Sequence, residues 1–212
     1  MAKSRIGTDE SGKGDYFGYL VVAAVFVDDK TEEKLKEMKV KDSKMMLDSV
    51  ILKIATEIKK ICKYEIVKIS PEKYNSLQKK FKNLNKILAW AHSRAIENLL
   101  EKIKETPEEI IIDKFGDEKY MKNAMMENGK KIKLVQKIRA ESDMAVAAAS
   151  ILARAEFLKT LRQLSLMVGY KLPKGATHTE EAAKELVKKY GPEVLEGIAK
   201  LHFKTTKKVL KK

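Results

Sequence analysis

The chain has 212 residues, one cysteine and a net charge of +14, from 44 Lys and Arg against 30 Asp and Glu. That length buries a sizeable core and fits one domain, residues 1–212, while a single Cys62 excludes a disulfide scaffold. No apolar run approaches the ~20 residues of a membrane span, and the basic excess favours a polyanion such as nucleic acid over an anionic membrane.

Residues 4–10 and 18–28 read as strands joined by the glycine-rich turn Gly12-Lys13-Gly14-Asp15-Tyr16-Phe17-Gly18. Asp9 and Glu10 close the first strand. Neighbouring strand residues point to opposite faces, so both acids serve one site only where the strand ends and the chain turns. The glycines suggest such a turn. Three readings compete. The first is an ordinary hairpin with solvated charges. The second is a phosphate-binding loop, since Gly7 and Gly12-Lys13 match part of that pattern. It fails, because Gly14 stands where a Ser or Thr belongs, two acids would line the phosphate cradle, and strand follows instead of helix. The third is a divalent-metal site, whose hard cation prefers carboxylate oxygens. That reading needs more acids downstream.

Thr31 is expected to cap a short helix through Met38. Val40 to Lys44 is a polar loop, read either as a helix start with Asp48 or Ser49 as cap, or as a substrate loop. Apolar residues at helical spacing predict a helix from Val50 to Ile61. Tyr64 to Ile69 reads as a half-buried strand. Ser70-Pro71 starts a helix, with a cap residue before proline at the first position. After the basic stretch Gln78 to Lys82, a long helix runs through Ile87, Leu88, Ala91, Ala95, Ile96, Leu99 and Ile103. His92 lies on or beside its apolar face and is read as structural. Ile110-Ile111-Ile112-Asp113 reads as a buried parallel strand with its acid at the carboxyl end, the edge where ligands gather in open α/β sheets. A further strand, Lys131 to Ile138, leads to Arg139-Ala140-Glu141-Ser142-Asp143. An alanine-rich helix, Met144 to Leu158, can lie close against a sheet. Helices from His178 to Tyr190 and from Glu193 to Leu201 follow a loop at Gly169 to Gly175. The chain closes in a basic tail.

Asp9, Glu10, Asp113 and Glu141 thus stand at strand ends, and they converge if the strands are neighbours in one sheet. Such a set suits two divalent metals about 3.5–4 Å apart on a scissile phosphate. No His/Cys cluster offers a zinc site, and no Ser-His-Asp set is arguable from order or spacing.

Here the sequence resembles the type 2 ribonuclease H family, its ribonuclease HIII branch more closely than its HII branch. The matching segments are Gly7-Thr8-Asp9-Glu10-Ser11-Gly12-Lys13-Gly14-Asp15-Tyr16-Phe17-Gly18, Lys41-Asp42-Ser43-Lys44, Asn83-Leu84-Asn85 with Leu88-Ala89-Trp90-Ala91-His92, and Ile112-Asp113. Ala140-Glu141 with Val146 to Arg154, Leu172-Pro173-Lys174-Gly175-Ala176, and Ala199 to Thr206 continue the match in the family's order. The resemblance implies an α/β fold: a ribonuclease H-like mixed β-sheet flanked by helices, with a helical C-terminal region. It implies endonucleolytic hydrolysis of the RNA strand of RNA–DNA hybrids by two Mg²⁺ or Mn²⁺ ions, leaving 5′-phosphate and 3′-hydroxyl ends. Asp9, Glu10, Asp113 and Glu141 would be the catalytic metal ligands, with Asp143 in reserve for Glu141. Gly12, Lys13, Gly14, Lys44, Asn83, Asn85, Lys174 and Lys204 would contact the substrate. A cytoplasmic monomer without membrane partners is expected. HIII proteins usually carry an N-terminal domain resembling the TATA-binding protein, and its absence here is expected, since the catalytic motif begins almost at Met1. Position 13 varies in the family and is lysine here. The alternatives are HII-like cleavage at single embedded ribonucleotides, another two-metal nuclease such as a junction resolvase, and a non-catalytic hybrid-binding module. The four acids argue against the last.

Overall fold

The computed structural model describes residues 4–38, 40 and 46–210. The elements in chain order are β1 (Arg5–Ser11), β2 (Leu20–Val27), α1 (Asp29–Glu37), α2 (Asp48–Ile61), β3 (Lys63–Ile69), α3 (Pro71–Phe81) and α4 (Leu84–Leu100). Then come β4 (Glu109–Asp113), α5 (Glu118–Ala124), β5 (Lys133–Lys137), α6 (Met144–Met167), α7 (Glu180–Tyr190), α8 (Val194–Ile198) and α9 (Lys204–Leu210). The five strands form one mixed sheet in the order β3-β2-β1-β4-β5. β4 runs parallel to β1, with Thr8 opposite Ile112, and β5 parallel to β4, with Asp113 opposite Lys137. β2 is buried along its whole length, as its continuous Val/Ala/Phe run requires of a strand covered on both faces. No helix among the described residues is long and apolar enough to cross a membrane.

The chain divides into two compact units. The first holds Met1–Glu10, Val22–Val67 and Leu84–Ala155; the second holds Ser11–Val21, Lys68–Asn83 and Glu156–Lys212. In the first unit, β1 and the start of α6 meet backbone to backbone. A Cβ on Gly7 would lie 2.3 Å from Ala145 C and Val146 N, so only glycine fits. The small residues Ala145, Ala147, Ala148 and Ala149 are all fully buried, the close packing that an alanine-rich helix permits.

Several boundaries differ from the sequence reading for identifiable reasons. Asp28, not Thr31, caps α1: its carboxylate accepts from Thr31 N at 2.7 Å, while Thr31 Oγ1 accepts from Asp28 N at 2.9 Å. Neither Asp48 nor Ser49 caps α2, whose cap position is Leu47 with no side-chain bond. Ser70 caps α3 as expected, accepting from Lys73 N at 3.3 Å. α4 ends at Leu100, three residues before Ile103. α6 continues to Met167, past Leu158, because Leu161 and Leu164 prolong its buried face. α8 stops at Ile198, since Ala199 leaves to bridge Phe17. Residues 204–210 of the basic tail form α9, with Thr205 and Thr206 buried.

Candidate active site

β1 and β4 are adjacent and parallel, so their carboxyl ends lie side by side and carry Asp9 and Glu10 on one, Asp113 on the other. Alternation along β1 sends Gly7 and Asp9 to the face that meets α6, and Thr8 and Glu10 to the opposite face. Burial lifts the pKa of the Asp9 carboxyl to about 7, and the charges of Glu10 and, more weakly, Asp113 push it the same way. A hydrogen bond from the Ser150 side chain and one from Glu10 N, at 2.8 Å, oppose the rise. Ser150 is on α6, brought within reach of Asp9 by the close approach at Gly7. Glu10 is held from the other side. Its Oε2 lies 3.2 Å from His92 Nε2 of α4.

Asp113 closes β4 and accepts from Ala140 N at 3.2 Å, which ties the turn carrying Glu141 to the end of that strand. Glu141 sits in a 3₁₀ turn, Ala140–Ser142, entered through Arg139 in the left-handed region at φ 57°. Its carboxylate is half-buried and makes no hydrogen bond or ion pair among the described residues. Asp143 is occupied: it accepts from Arg5 Nε at 2.7 Å and caps α6 by accepting from Ala145 N at 2.8 Å and Val146 N at 3.4 Å. Arg5 in turn pairs with Glu32 at 2.8 Å.

Among the described residues, no three His, Cys, Asp or Glu side chains stand close enough to chelate a metal ion as they are placed. The donor chemistry nonetheless fits a hard divalent cation. Three carboxylates share one sheet edge, and burial first, then the charges of Glu10 and Asp113, raise the Asp9 carboxyl, which a cation would hold ionised.

The other expected residues are placed as follows. Asn85 is the second residue of α4, its side chain packed against Gly116; a Cβ there would lie 2.7 Å from Asn85 Nδ2. Lys44 lies outside the described residues. In the second unit, Gly12 has φ +87° and a Cβ on it would stand 2.1 Å from Tyr19 O, whereas a Cβ on Gly14 would meet nothing within 4 Å. Lys13 and Gly14 are exposed. Asp15 Oδ1 accepts from Gly175 N at 2.6 Å, and Tyr16 N donates to Gly175 O at 2.8 Å. The fully buried Lys200 donates to Asp15 O at 2.9 Å and Gly18 O at 2.7 Å. This unit therefore ties the glycine-rich turn to the segments around 175 and 200. Lys174 and Lys204 are exposed, the latter opening α9, and Asn83 lies between α3 and α4. Sequence reasoning gave His92 a structural role and Ser150 none. For His92 the helical period supplied a face but not a partner 82 residues away. For Ser150, the one polar residue in a run of buried apolar ones was the available signal.

The sequence profile of the family described as Ribonuclease HII matches residues 6–206. A ribonuclease HIII from Protochlamydia amoebophila is 46% identical over 208 residues, 98% of this chain and 68% of that protein. One from Chlamydia pneumoniae is 44% identical over 206 residues, covering 96% and 69%. The crystal structure of Bst-RNase HIII in complex with Mn²⁺ superposes with a TM-score of 0.92 at 38% identity, covering 98% of this chain and 69% of that one.

Proposed function

The chain belongs to the ribonuclease HII family, with relatives named ribonuclease HIII, and is an RNA–DNA hybrid endoribonuclease; from that premise we propose that it cuts by two-metal hydrolysis at Asp9, Glu10, Asp113 and Glu141. The observation that carries the reading is the placement of Asp9, Glu10 and Asp113 together at the carboxyl ends of two adjacent parallel strands. Two Mg²⁺ or Mn²⁺ ions bound there would supply charge neutralisation on the scissile phosphate and on both oxygens of the displacement. Glu141 is the proposed fourth ligand, because Asp143 is committed to Arg5 and to the α6 cap.

In the proposed reaction a water oxygen bonds to phosphorus and the bond from phosphorus to the 3′-oxygen breaks. The phosphate stays on the 5′ end of one fragment, and the 3′-oxygen takes a proton on the other. The Gly12-Lys13-Gly14 backbone, two residues past Glu10 in the chain, is proposed to approach the ribose, whose 2′-hydroxyl distinguishes RNA from DNA. Lys44, Asn83, Asn85, Lys174 and Lys204 are proposed contacts to the duplex, the lysines to phosphates. We also propose a monomer, since all four acids come from one chain, and light scattering that found only dimers would remove this point.

The test is cleavage of an end-labelled RNA–DNA hybrid, a DNA duplex and a duplex with one embedded ribonucleotide, each with Mg²⁺ and with Mn²⁺. Efficient cleavage of the hybrid into 5′-phosphate products, poor cleavage at the lone ribonucleotide in Mg²⁺ and none of the DNA duplex are expected. Cutting of pure DNA, or 3′-phosphate ends, would refute the proposal.

A further inference from the structure

His92 stands outside the acid set, yet both ring nitrogens and one ring face are engaged. It is 0% exposed on α4. Nε2 lies 3.2 Å from Glu10 Oε2, Nδ1 lies 2.9 Å from Thr8 Oγ1, and one face stacks on Phe115 with centroids 5.3 Å apart and planes 16° from parallel. Thr8 is itself fully buried, and the Glu10 side chain is 8% exposed. Thr8 and Glu10 are two apart on one strand and so share a face. The imidazole spans that pair.

The direction of the Glu10 contact follows from hydrogen-bond inventory. An ionised carboxylate only accepts, so Nε2 must carry the hydrogen. Nδ1 then accepts from the Thr8 hydroxyl if the ring is neutral, or donates to it if the ring is charged. Thr8 can serve either way, and Nε2–H donates to Glu10 in both. Asp9 receives its counterpart contact from Ser150 on the other face. Each of the two adjacent acids thus has its own helix-borne holder.

We propose that His92 is a positioning residue for the metal centre: clamped by Thr8 and Phe115, it donates Nε2–H to Glu10 and fixes the orientation in which that carboxylate binds a divalent cation. The proposal rests on the reading of Glu10 as a metal ligand. Partners that orient a ligand in this way typically contribute 10–100-fold in metal affinity.

The test measures Mn²⁺ binding to the substrate-free full chain by the spin-resonance signal of free Mn²⁺, alongside melting temperature and the Mn²⁺ midpoint for hybrid cleavage. His92→Gln offers an amide N–H in place of Nε2–H, and its Kd is expected within about threefold of wild type. His92→Leu fills the same space with no donor, and its Kd and activation midpoint are expected to rise about 10–100-fold together. Thr8→Val, which loosens the ring, should fall between them. Equal Mn²⁺ affinity in the Gln and Leu variants would overturn the proposal and leave His92 as core filling, whatever the melting temperatures do. Should His92→Leu fail to fold, equal affinity in wild type and Thr8→Val overturns it instead. Asp9→Asn is the separate control. If wild type binds no Mn²⁺, or Asp9→Asn binds it unchanged, the metal-site reading fails, and this inference with it.

Discussion

Glu141 and Asp143 are two residues apart and stand in opposite environments. Asp143 is the partner of the buried Arg5 and the cap of α6, while Glu141 has no partner among the described residues. Asp143→Asn is therefore expected to cost about 1–3 kcal/mol of stability, since it leaves the buried Arg5 charge to Glu32 alone, with turnover per folded molecule nearly kept. Glu141→Gln should do the reverse, losing turnover with no loss of melting temperature. The reverse assignment of effects, read by steady-state rates and thermal unfolding, would exchange their roles. Asp113→Asn is expected to lose more than about a hundredfold in rate while remaining folded, because the amide oxygen still accepts from Ala140 N and like-charge crowding is relieved. Full activity would remove Asp113 from the site. The two turn glycines make a second contrast. Gly12→Ala forces a Cβ into Tyr19 O at a positive φ and should unfold the turn, whereas Gly14→Ala meets open space. Gly14→Ala is expected to leave stability within about 0.5 kcal/mol and to lower activity on hybrids, since its added methyl meets only an approaching substrate. Unchanged hybrid cleavage would dissociate that backbone from the ribose.

At the scale of elements, Lys200 determines how the glycine-rich turn responds to pH. Burial pushes its pKa down to about 7 from 10.5. Between those values the unfolded chain holds a proton that the folded chain has released, so stability rises with pH across that window and is flat below it. The neutral amine still donates to the carbonyls of Asp15 and Gly18. In Lys200→Met those carbonyls lose their donor and the pH slope vanishes. The stability gap between wild type and Lys200→Met should widen from pH 7 to pH 10 in denaturant titrations. A gap that is constant with pH would contradict the shift. Little of this was legible in the sequence, where Lys200 read as one more residue of a helix from Glu193 to Leu201. What was legible followed local rules. The apolar run of β2, the Ser70-Pro71 start of α3 and the Ile110 to Asp113 strand are each specified by neighbours in sequence. The end of α8 at Ile198 and the folding of residues 204–210 into α9 depend on partners more than 180 residues away: Phe17 for Ala199, and Tyr16 for Thr206, whose oxygens lie 3.1 Å apart. The positions of Asp9, Glu10 and Asp113 were legible because their strands are short and close at or beside them, whereas Glu141 lies in a turn beyond β5. Their holders His92 and Ser150 were not, since a helical period names a face and not what it touches.

For the whole molecule, the +14 charge predicts the salt response. Hybrid affinity should fall steeply with salt and vary little with base sequence, because lysine–phosphate contacts release counterions without reading bases. Lys204→Gln and Lys174→Gln should each reduce the slope of log K against log salt by about one. A slope unchanged in both would take those lysines off the duplex. HII-like cleavage at a lone ribonucleotide is expected to need a tyrosine of the C-terminal region that senses the DNA side of the junction, for which the sequence offers Tyr170 and Tyr190. Tyr190 spends its hydroxyl on Val168 O at 2.9 Å, a packing role. Desolvation, then the neighbouring acids Glu185 and Glu181, hold the Tyr170 phenol above its usual range, and those acids would repel a phosphate backbone. We propose that neither senses a DNA junction. Runs of ribonucleotides should be cut efficiently in Mg²⁺ and a lone embedded one poorly. Equal rates would move the protein to the HII manner of cleavage. β1, β2, β3 and α6 each contribute residues to both compact units, and one domain over residues 1–212 is proposed on that basis. Calorimetry should then show one transition, and two well-separated ones would divide it.

The Lys200 bonds also set an order of events in time. Asp15 and Gly18 leave the ribosome early, and the side chain that satisfies their carbonyls is made 185 and 182 residues later. At 5–20 residues per second, that is a wait of roughly 10–40 s. Through that interval the glycine-rich turn lacks its anchor, so a nascent chain should be unable to cut hybrids until its last helices are made. Ribosome-bound chains stalled before Lys200 should be protease-sensitive at Gly12 to Gly18, and chains released at full length protected there.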